Sequence, residues 1–358
     1  MNDKKKKIAV LFGGCSSEYE VSLQSAYAVI THMDTEKYEL ILIGITKSGE
    51  WYLYQGNPEE IPSDRWHRKE SCIPAAVSPN RELHGILLLK KEGTETISLD
   101  GALPVLHGKN GEDGTVQGVL ELAGIPLIGC DTMSSAICMD KETAHRLAET
   151  CGIKTPRAYK FFRKETLCTA DGTGSGYIEK IQAAGSELGY PLFVKPLRAG
   201  SSFGITKVMK PEDLLTAADY AFAYDDCVVI EEMIEGFEVG CAVLGKDELI
   251  TGAVDEIELS EGFFDYTEKY TLKSSKIHVP ARIPKEKAEE IQEAAKKIYR
   301  GLGCSYFARV DLFLTPDGEI YFNEVNTIPG FTSHSRYPSM MKAVGISFEE
   351  LLCRLLEM

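Results

Sequence analysis

The segment 307-FARVDLFLTPDGEIYFNEVN-326 constrains the fold more strongly than any other part of the chain. Its two largely apolar halves flank Asp317-Gly318, a dipeptide that favours a two-residue β-hairpin turn. Such a turn fixes the register of the two strands and places two polar pairs across the hairpin: Asp311 opposite Glu324, and Arg309 opposite Asn326. The sequence therefore predicts an antiparallel hairpin at 307–326.

The two faces of this hairpin are expected to differ, because successive side chains of a strand point to opposite faces. One face carries the four polar residues that pair across the hairpin. The other face carries the apolar residues Val310, Leu312, Leu314, Tyr321 and Val325. Asn323 is the one polar exception on that face. One face should therefore pack in a core while the other presents charges.

Opposed carboxylates repel each other, so Asp311 and Glu324 need a neutralising partner. Arg309 alone could supply it, in a purely structural cluster. A hard cation is the partner we favour, since carboxylates and an amide oxygen are ligands that Mg²⁺ takes, with phosphate oxygens completing its shell. The sequence therefore predicts a Mg²⁺ (or Mn²⁺) site, with two ions, at Asp311, Glu324 and Asn326.

Magnesium held in this way usually accompanies a nucleotide, and 192-LFVKPLRAGSSFGI-205 is a candidate phosphate site. A strand delivers Lys195, and the loop that follows contains Ser201 and Ser202 among glycines, so its backbone N–H groups can converge on phosphate oxygens. Lys141 would add a second cation. No GxxxxGK[ST] motif occurs, which excludes a Walker-type P-loop.

An acidic stretch, 228-VVIEEMIEGFEVG-240, supplies candidate contacts for the rest of a nucleotide. The strand that ends at Glu231 could offer backbone groups to an adenine edge, and Glu238 could bind ribose hydroxyls. The alternative for each glutamate is a solvated strand end.

The remaining sequence favours an α/β protein of more than one domain, because 358 residues exceed what one core usually serves. A strand at 7–12, a glycine turn, a helix at 20–33 and a strand at 38–46 form an opening α/β unit. From residue 190 strands and helices alternate again, and 248–258 is expected to form a single strand. The segment 164–176 is expected to be a surface insertion.

Charge and composition exclude several classes of protein. The 39 basic and 54 acidic residues give a net charge of −15, which disfavours nucleic acid as a partner. No apolar run approaches the roughly 20 residues of a membrane span. The apolar part of 4-KKKKIAVLFGGC-15 is too short for a signal peptide, so we expect a buried strand there. Ten cysteines without a CxxC pair are typical of reduced thiols in a cytoplasmic protein.

The chain resembles an ATP-grasp enzyme in four features taken together: the strand with Lys195, the glycine–serine loop, the acidic stretch and the hairpin. Within that group it is similar to D-alanine–D-alanine ligases. The resemblance rests on motifs in family order: 18-EYEVSLQSA-26, 106-LHGKNGEDGTVQG-118, 138-CMDK-141, 194-VKPLRAGSSFG-204, 309-RVD-311 and 323-NEVNTIPGFTSHS-335. It implies an α/β (α+β) ATP-grasp fold with an N-terminal Rossmann-like pre-ATP-grasp domain.

The resemblance also implies three domains. They are an N-terminal α/β domain at 1–135, a central ATP-grasp subdomain at 136–235, and a C-terminal subdomain at 236–358 that includes a lid at 259–276.

Members of this family join two D-amino acids with ATP through an acyl phosphate. By resemblance, Glu20 holds the ammonium of the first substrate and His107 lies beside that substrate. Arg309 and Gly330 would donate to the tetrahedral oxyanion, and Ser335 to the carboxylate of the second substrate. An acid in the first turn of a helix, favoured by the macrodipole, is an additional role for Glu20, and a structural histidine is the alternative for His107.

Further assignments concern ATP and the closing of the site. Lys141, Lys195 and Arg309 would screen the repulsion between two anions. Ser201 and Tyr270 would form a hydrogen-bonded set with Glu20 that links loop, lid and substrate. Glu232 stands where many relatives have lysine, so only its backbone is expected to contact adenine.

The stretch 263-FFDYTEKYTLKSSK-276 is interpreted as a lid that keeps water from the acyl phosphate. Phe263 would lie near adenine, and Lys269 would bridge to ATP phosphate. The triplet 268-EKY-270 resembles that of the vancomycin-resistance D-alanine–D-serine ligases, and Glu268 could accept a hydrogen bond from the serine hydroxyl. D-Lactate is disfavoured, since the relatives that use it carry a different lid.

Arg336, beside Ser335, is a further candidate that could brace an acid or the substrate carboxylate. The function expected is thus a D-alanine–D-serine ligase of cell-wall synthesis. The ordinary D-alanine–D-alanine ligase is the first alternative. Another ATP-grasp ligase, or a non-catalytic ATP-binding regulator on the same fold, are more remote ones. The resemblance further implies a homodimer.

Overall fold

The structure is a computed structural model that describes residues 5–68, 70–163, 175–198, 204–259, 275–332 and 334–358. Within these ranges the chain forms three β-sheets, each covered by helices. The successive sheets arise from successive parts of the sequence.

The first sheet contains the predicted opening unit. Its strands are β1 (Lys6–Gly13), β2 (Tyr38–Ile45), β3 (Trp51–Tyr54), β4 (Cys72–Val77), β5 (Gly85–Lys90), β6 (Gly93–Ser98) and β7 (Gly101–Val105), in the order β6-β5-β4-β3-β2-β1-β7. β1 runs parallel to β2 and β7, so buried apolar residues fill it, and the rest of the sheet is antiparallel. Helices α1 (Tyr19–His32), α2 (Thr115–Leu122) and α3 (Thr132–Met139) follow its strands.

The last residue of β1, Gly13, must be glycine for the chain to turn into α1. Gly13 has φ +89°, and a Cβ atom there would lie 2.1 Å from the carbonyl oxygen of Ile45. Only glycine therefore lets the chain turn from β1 into α1 against β2.

The second sheet is antiparallel and smaller. Its strands are β8 (Ala158–Phe162), β9 (Leu192–Pro196), β10 (Thr206–Val208) and β11 (Cys227–Glu232), in the order β10-β9-β11-β8. Helix α4 (Lys141–Thr150) precedes this sheet in the chain and buries Ala144 and Ala148 in the core of the hairpin. Helices α5 (Ser175–Leu188) and α6 (Leu214–Ala221) cover the second sheet and bury Ile181 and Leu214 against Val194 and Ile230. The predicted insertion at 164–176 falls almost entirely outside the described residues.

The third sheet carries the hairpin. Its strands are β12 (Phe237–Gly245), β13 (Ile250–Thr251), β14 (Asp255–Leu259), β15 (Ser275–His278), β16 (Tyr306–Leu314) and β17 (Ile320–Asn326). The order is β15-β14-β12-β16-β17, with β13 paired to β12. The single strand predicted at 248–258 is therefore wrong: the chain there forms β13 and β14, which pair with opposite ends of β12.

Helix α7 (Lys285–Gly301) covers the third sheet, while α8 (Arg336–Ala343) and α9 (Phe348–Glu357) return to the first. Ile291 and Ile298 of α7 share one core with Val310 and Phe322 of the hairpin. Tyr337 and Leu351, by contrast, share a core with Phe12 and Leu23. The C-terminal helices thus tie the hairpin sheet to the N-terminal sheet.

The predicted domain boundary between residues 235 and 236 lies between β11 and β12, but the one between 135 and 136 lies inside α3. Across the described ranges, no helix combines the length and apolar composition that crossing a membrane requires.

Candidate active site

The hairpin brings the predicted polar pairs together. Asp311 pairs with Glu324, and Arg309 with Asn326, in antiparallel register. The loop, however, is one residue longer than predicted, because Thr315 rather than Pro316 closes it: the Thr315 N–H donates to the Glu319 carbonyl over 3.0 Å. A three-residue loop with a left-handed glycine (Gly318, φ +86°) is the next most common hairpin turn.

A β-bulge restores the predicted register at the site. Beyond Asp311 the pairing shifts by one, so that Leu312 faces Phe322 and Asn323 is the extra residue. This explains why Asn323 broke the apolar pattern, and why Phe322 is buried in the core while Tyr321, predicted there, is only partly covered. The bulge compensates for the longer loop, so the polar pairs still meet.

Asp311 is buried, with 1% of its surface exposed, and its carboxylate is the centre of the cluster. Arg309 donates to it from Nε and Nη2, each over 2.7 Å, and Asn326 donates from Nδ2 over 2.9 Å. Burial opposes the charge of Arg309, but the Asp311 carboxylate outweighs it and raises the Arg309 pKa above its ordinary value. Arg309 is therefore held rigidly beside the predicted metal ligand.

Arg336 joins three acids on three neighbouring strands. It donates to both oxygens of Asp255 over 2.7 and 2.8 Å and to Glu238 over 2.8 Å, and its Nη1 lies 3.3 Å from Asp311 Oδ1. Gly240 makes room for the guanidinium, since a Cβ atom there would lie 2.4 Å from Nη2. Arg336 thus lies among the acids of the sheet, and its predicted contact with a substrate carboxylate stays a prediction.

The two predicted lysines both lie next to glutamates. Lys141 begins α4, whose N-cap Asp140 accepts from the Thr143 N–H over 2.9 Å, and its Nζ lies 3.5 Å from Glu324 Oε2. Lys195 projects from β9 and lies 2.5 Å from Glu231 Oε1 of β11, with both side chains buried. Glu324, which the sequence analysis assigned to the metal, therefore holds Lys141. Glu231, which it assigned to adenine, holds Lys195.

Glu232 is turned to Arg157, whose backbone N–H and Nε donate to it over 2.9 and 2.8 Å. The Glu232 side chain thus forms an ion pair with Arg157, and the backbone contact with adenine stays a prediction. Its neighbour Glu231 points instead to Lys195.

Glu20 lies in the first turn of α1, where its exposed side chain pairs with Lys47. The hydrogen bond from Lys47 lowers the pKa of Glu20. Ser335 is the N-cap residue of α8, and its hydroxyl accepts from the Thr332 N–H over 3.0 Å. Gly330 lies against Ser335, since a Cβ atom there would lie 2.9 Å from Ser335 Oγ.

His107 is buried, and both ring nitrogens have partners. Nδ1 lies 2.9 Å from the Ile328 carbonyl oxygen and Nε2 lies 3.0 Å from Ser25 Oγ. Burial lowers the pKa of His107, which favours the neutral ring. The predicted contact of His107 with substrate would therefore use the ring face or edge.

Six predicted residues lie outside the described ranges: Ser201, Ser202, Phe263, Glu268, Lys269 and Tyr270. Their roles stay predictions.

Two family models cover most of the chain. The model described as "D-ala D-ala ligase N-terminus" matches residues 7–130, and the one described as "D-ala D-ala ligase C-terminus" matches residues 147–357. The chain belongs to the D-alanine–D-alanine ligase family. It is therefore a ligase with the ATP-grasp fold, as the sequence motifs predicted.

The names of individual relatives in this family give different second substrates. The chain is 57% identical to the crystal structure of the VanG D-Ala:D-Ser ligase from Enterococcus faecalis, with a TM-score of 0.89 and coverage of 99% of each chain. It is 46% identical, over 98% of this chain and 97% of the relative, to a putative D-alanine–D-lactate ligase of Streptomyces coelicolor. It is also 46% identical, over 99% of this chain and 95% of the relative, to a D-alanine–D-alanine ligase of Caldicellulosiruptor bescii.

Sequence reasoning missed one acid of this ligase site that lies inside a quoted motif. Glu112 accepts from the Gly108 N–H over 2.7 Å and from the Ile328 N–H over 3.3 Å. Burial, followed by the charge of Glu18, raises the pKa of Glu112 to about 8. The signal was the acid pair in 107-HGKNGEDG-114, which suggested a loop but not a contact more than 200 residues away.

Asp255 was missed for a different reason. It lies in the stretch that was predicted as one strand, and its neighbours in sequence give no sign that it meets Arg336. Only the pairing of β14 with β12 brings the two together.

Proposed function

We propose that this ligase joins D-alanine to D-serine, with ATP as the energy source and an acyl phosphate as the intermediate. The dipeptide would enter peptidoglycan precursors and confer resistance to vancomycin. The observation that carries the proposal is the 57% identity to a D-Ala:D-Ser ligase over 99% of both chains, against 46% to the relatives named as D-alanine–D-lactate and D-alanine–D-alanine ligases.

The donor set of the hairpin fits a hard cation. Asp311 and Glu324 supply carboxylate oxygens, and Asn326 supplies an amide, from adjacent positions on one face. Within the described part of the chain, no three His, Cys, Asp or Glu side chains form a metal cluster by themselves, which suits a site that ATP phosphates complete. When bound there, Mg²⁺ (or Mn²⁺) would neutralise charge that develops on the phosphates.

The fixed cations would serve the same anions. Lys141 is held by Glu324 and Lys195 by Glu231, so the ammonium group of each lysine has a fixed position in the site. Ordering a cation in advance lowers the cost of stabilising the transferring phosphoryl group. The backbone near Glu231 and Glu232 would bind adenine, and Glu238 the ribose.

The chemistry would then run in two steps. The carboxylate of D-alanine attacks the terminal phosphorus of ATP and releases ADP, which leaves an acyl phosphate. The amine of the second amino acid attacks the acyl carbon, and phosphate leaves as the amide forms. Because Asp311 occupies Nε and Nη2 of Arg309, donation to the tetrahedral oxyanion would come from Nη1, together with the Gly330 N–H.

Specificity for the second substrate would depend on the lid. Glu268 would accept a hydrogen bond from the D-serine hydroxyl, and a site with such a committed acceptor rejects the analogue that lacks the hydroxyl. Ordinary D-alanine–D-alanine ligation is the second candidate, since one relative at 46% identity is named a D-alanine–D-alanine ligase. A homodimer in the cytoplasm completes the proposal, and the unpaired thiols of the nine described cysteines support the reducing location.

The test is phosphate release by the purified protein with ATP and Mg²⁺, first with D-alanine alone, then with D-serine or D-lactate added, each product being identified by mass. The proposal expects D-serine to raise turnover and to appear in the product. Equal turnover with D-alanine alone would leave only the second candidate. Glu268→Ala should shift preference toward D-alanine, whereas the control Glu258→Ala, on β14, should not.

A further inference from the structure

The segment that carries Gly330 is attached to the N-terminal part of the chain by three hydrogen bonds. The Ile328 carbonyl oxygen accepts from His107 Nδ1 over 2.9 Å, and the Ile328 N–H donates to Glu112 Oε1 over 3.3 Å. The Phe331 N–H donates to Ser25 Oγ over 3.3 Å. Gly330 therefore lies between two anchored residues, one before it and one after it.

These bonds form a connected set whose donors and acceptors are consistent. With the proton on His107 Nδ1 facing a carbonyl, Nε2 must accept, and the Ser25 hydroxyl can donate to it over 3.0 Å. Ser25 Oγ keeps a lone pair for the Phe331 N–H. The neutral histidine that burial favours is the form that this set requires.

Glu112 holds both sides of the contact. Its Oε2 accepts from the Gly108 N–H, next to His107, while its Oε1 accepts from Ile328. Glu18 lies beside Gly108, since a Cβ atom on Gly108 would come within 2.3 Å of Glu18 Oε2. Glu112 thereby fixes the distance between the 107–114 loop and the Gly330 segment.

We infer that Glu112 and Ser25 are positioning residues that set the place of the Gly330 N–H at the point where the oxyanion forms. The inference rests on the proposed two-step ligation. Neither residue needs to touch substrate, because each acts through the backbone on one side of Gly330. Loss of either bond would let the segment move, and a shift of about 1 Å in such a donor can lower the rate about 100-fold.

The test compares Glu112→Ala, Glu112→Gln and Ser25→Ala in steady-state ligation. Glu112→Ala and Ser25→Ala should lower kcat by about tenfold to 100-fold while KM for ATP stays within about threefold, since an oxyanion donor acts in the transition state. Glu112→Gln keeps one acceptor oxygen, for either the Ile328 or the Gly108 N–H, so its kcat should lie between those of Glu112→Ala and the parent.

Matched controls separate positioning from general damage. Ser22→Ala removes a buried hydroxyl on the same helix whose partners among the described residues are Gly13 and Val105, and Glu121→Ala removes an acid that binds Thr132. Both should keep kcat. An unchanged kcat in folded Ser25→Ala, or in folded Glu112→Ala, overturns the inference; if Glu112→Ala does not fold, Ser25→Ala decides. Absence of ligation by the parent protein would instead refute the proposed function.

Discussion

Replacing Arg336 by methionine should destabilise the protein strongly. Arg336 is 7% exposed, and among the described side chains it is the only one that binds the Asp255 carboxylate, which is 0% exposed. Asp311 keeps Arg309 and Asn326 when Arg336 is removed, so most of the cost falls on Asp255. Breaking one side of such a buried pair costs about 3–5 kcal/mol, because the remaining charge stays desolvated and unpaired.

The expected loss is measurable as a shift in thermal midpoint. An unfolding entropy of about 2.1 cal/mol/K per residue gives about 1.3 °C per kcal/mol for 358 residues, so Arg336→Met should lower Tm by roughly 4–7 °C. Asp255→Asn in the same chain removes the uncompensated charge, so the double variant should melt higher than Arg336→Met. Differential scanning fluorimetry or calorimetry reports all three values.

A surface arginine provides the control. Arg354 pairs with Glu350 one turn away on α9, and the pair is exposed. Exposed pairs contribute about 0–1 kcal/mol, so Arg354→Met should leave Tm within about 2 °C of the parent. If Arg336→Met has the same Tm as Arg354→Met, or if the added Asp255→Asn lowers Tm further, the buried-charge reasoning is refuted.

Three further predictions concern charge. Asp311→Asn should abolish Mg²⁺-dependent ATP binding in calorimetry, whereas Asp317→Asn in the turn should not; equal binding by both removes Asp311 from the metal site. The pKa of Glu112 is about 8 in the folded protein against an ordinary 4.5, so between these pH values the folded state holds a proton that the unfolded chain loses. Stability should therefore fall as pH rises from about 4.5 to 8. Glu112→Gln should flatten this decline in Tm with pH, and an unchanged slope contradicts the assignment to Glu112. Lys47 pairs with Glu20, so Lys47→Ala should lower KM for the first D-alanine by up to about fivefold; a raised KM would show that Lys47 helps binding instead.

Local pattern was enough to predict the hairpin face, because alternation and turn residues fix which side chains point together. The agreement at Asp311 and Glu324 nevertheless depended on two deviations that offset each other, the longer loop and the bulge at Asn323. Asn323 itself was the visible sign, as a polar residue in an apolar row. A turn dipeptide alone does not distinguish a two-residue from a three-residue loop.

The sequence analysis did not predict two helices, and the reason lies in the residues of each helix. Helix α3 (TMSSAICM) contains serines and little apolar periodicity, and its main signal is the N-cap Asp131, which accepts from the Ser134 N–H. Helix α8 contains Pro338, which reads as a helix breaker but is tolerated in the first turn, where its N–H is not needed.

Contacts between distant segments were beyond the reach of local pattern. Lys195 with Glu231, Arg336 with Asp255, and Glu112 with Ile328 each depend on how strands and loops meet in the fold. The sequence analysis named Lys195 and Glu231 as ATP contacts and Arg336 as a possible brace, but it gave no role to Asp255, Glu112 or Ile328. The structure adds that the same residues hold one another in place.

Competition between the two second substrates tests the central claim most directly. The protein would receive ATP, Mg²⁺ and equal concentrations of D-alanine and D-serine at neutral pH, and mass spectrometry would give the ratio of the two dipeptides. The account predicts that D-alanyl-D-serine predominates. A product mixture dominated by D-alanyl-D-alanine would contradict it.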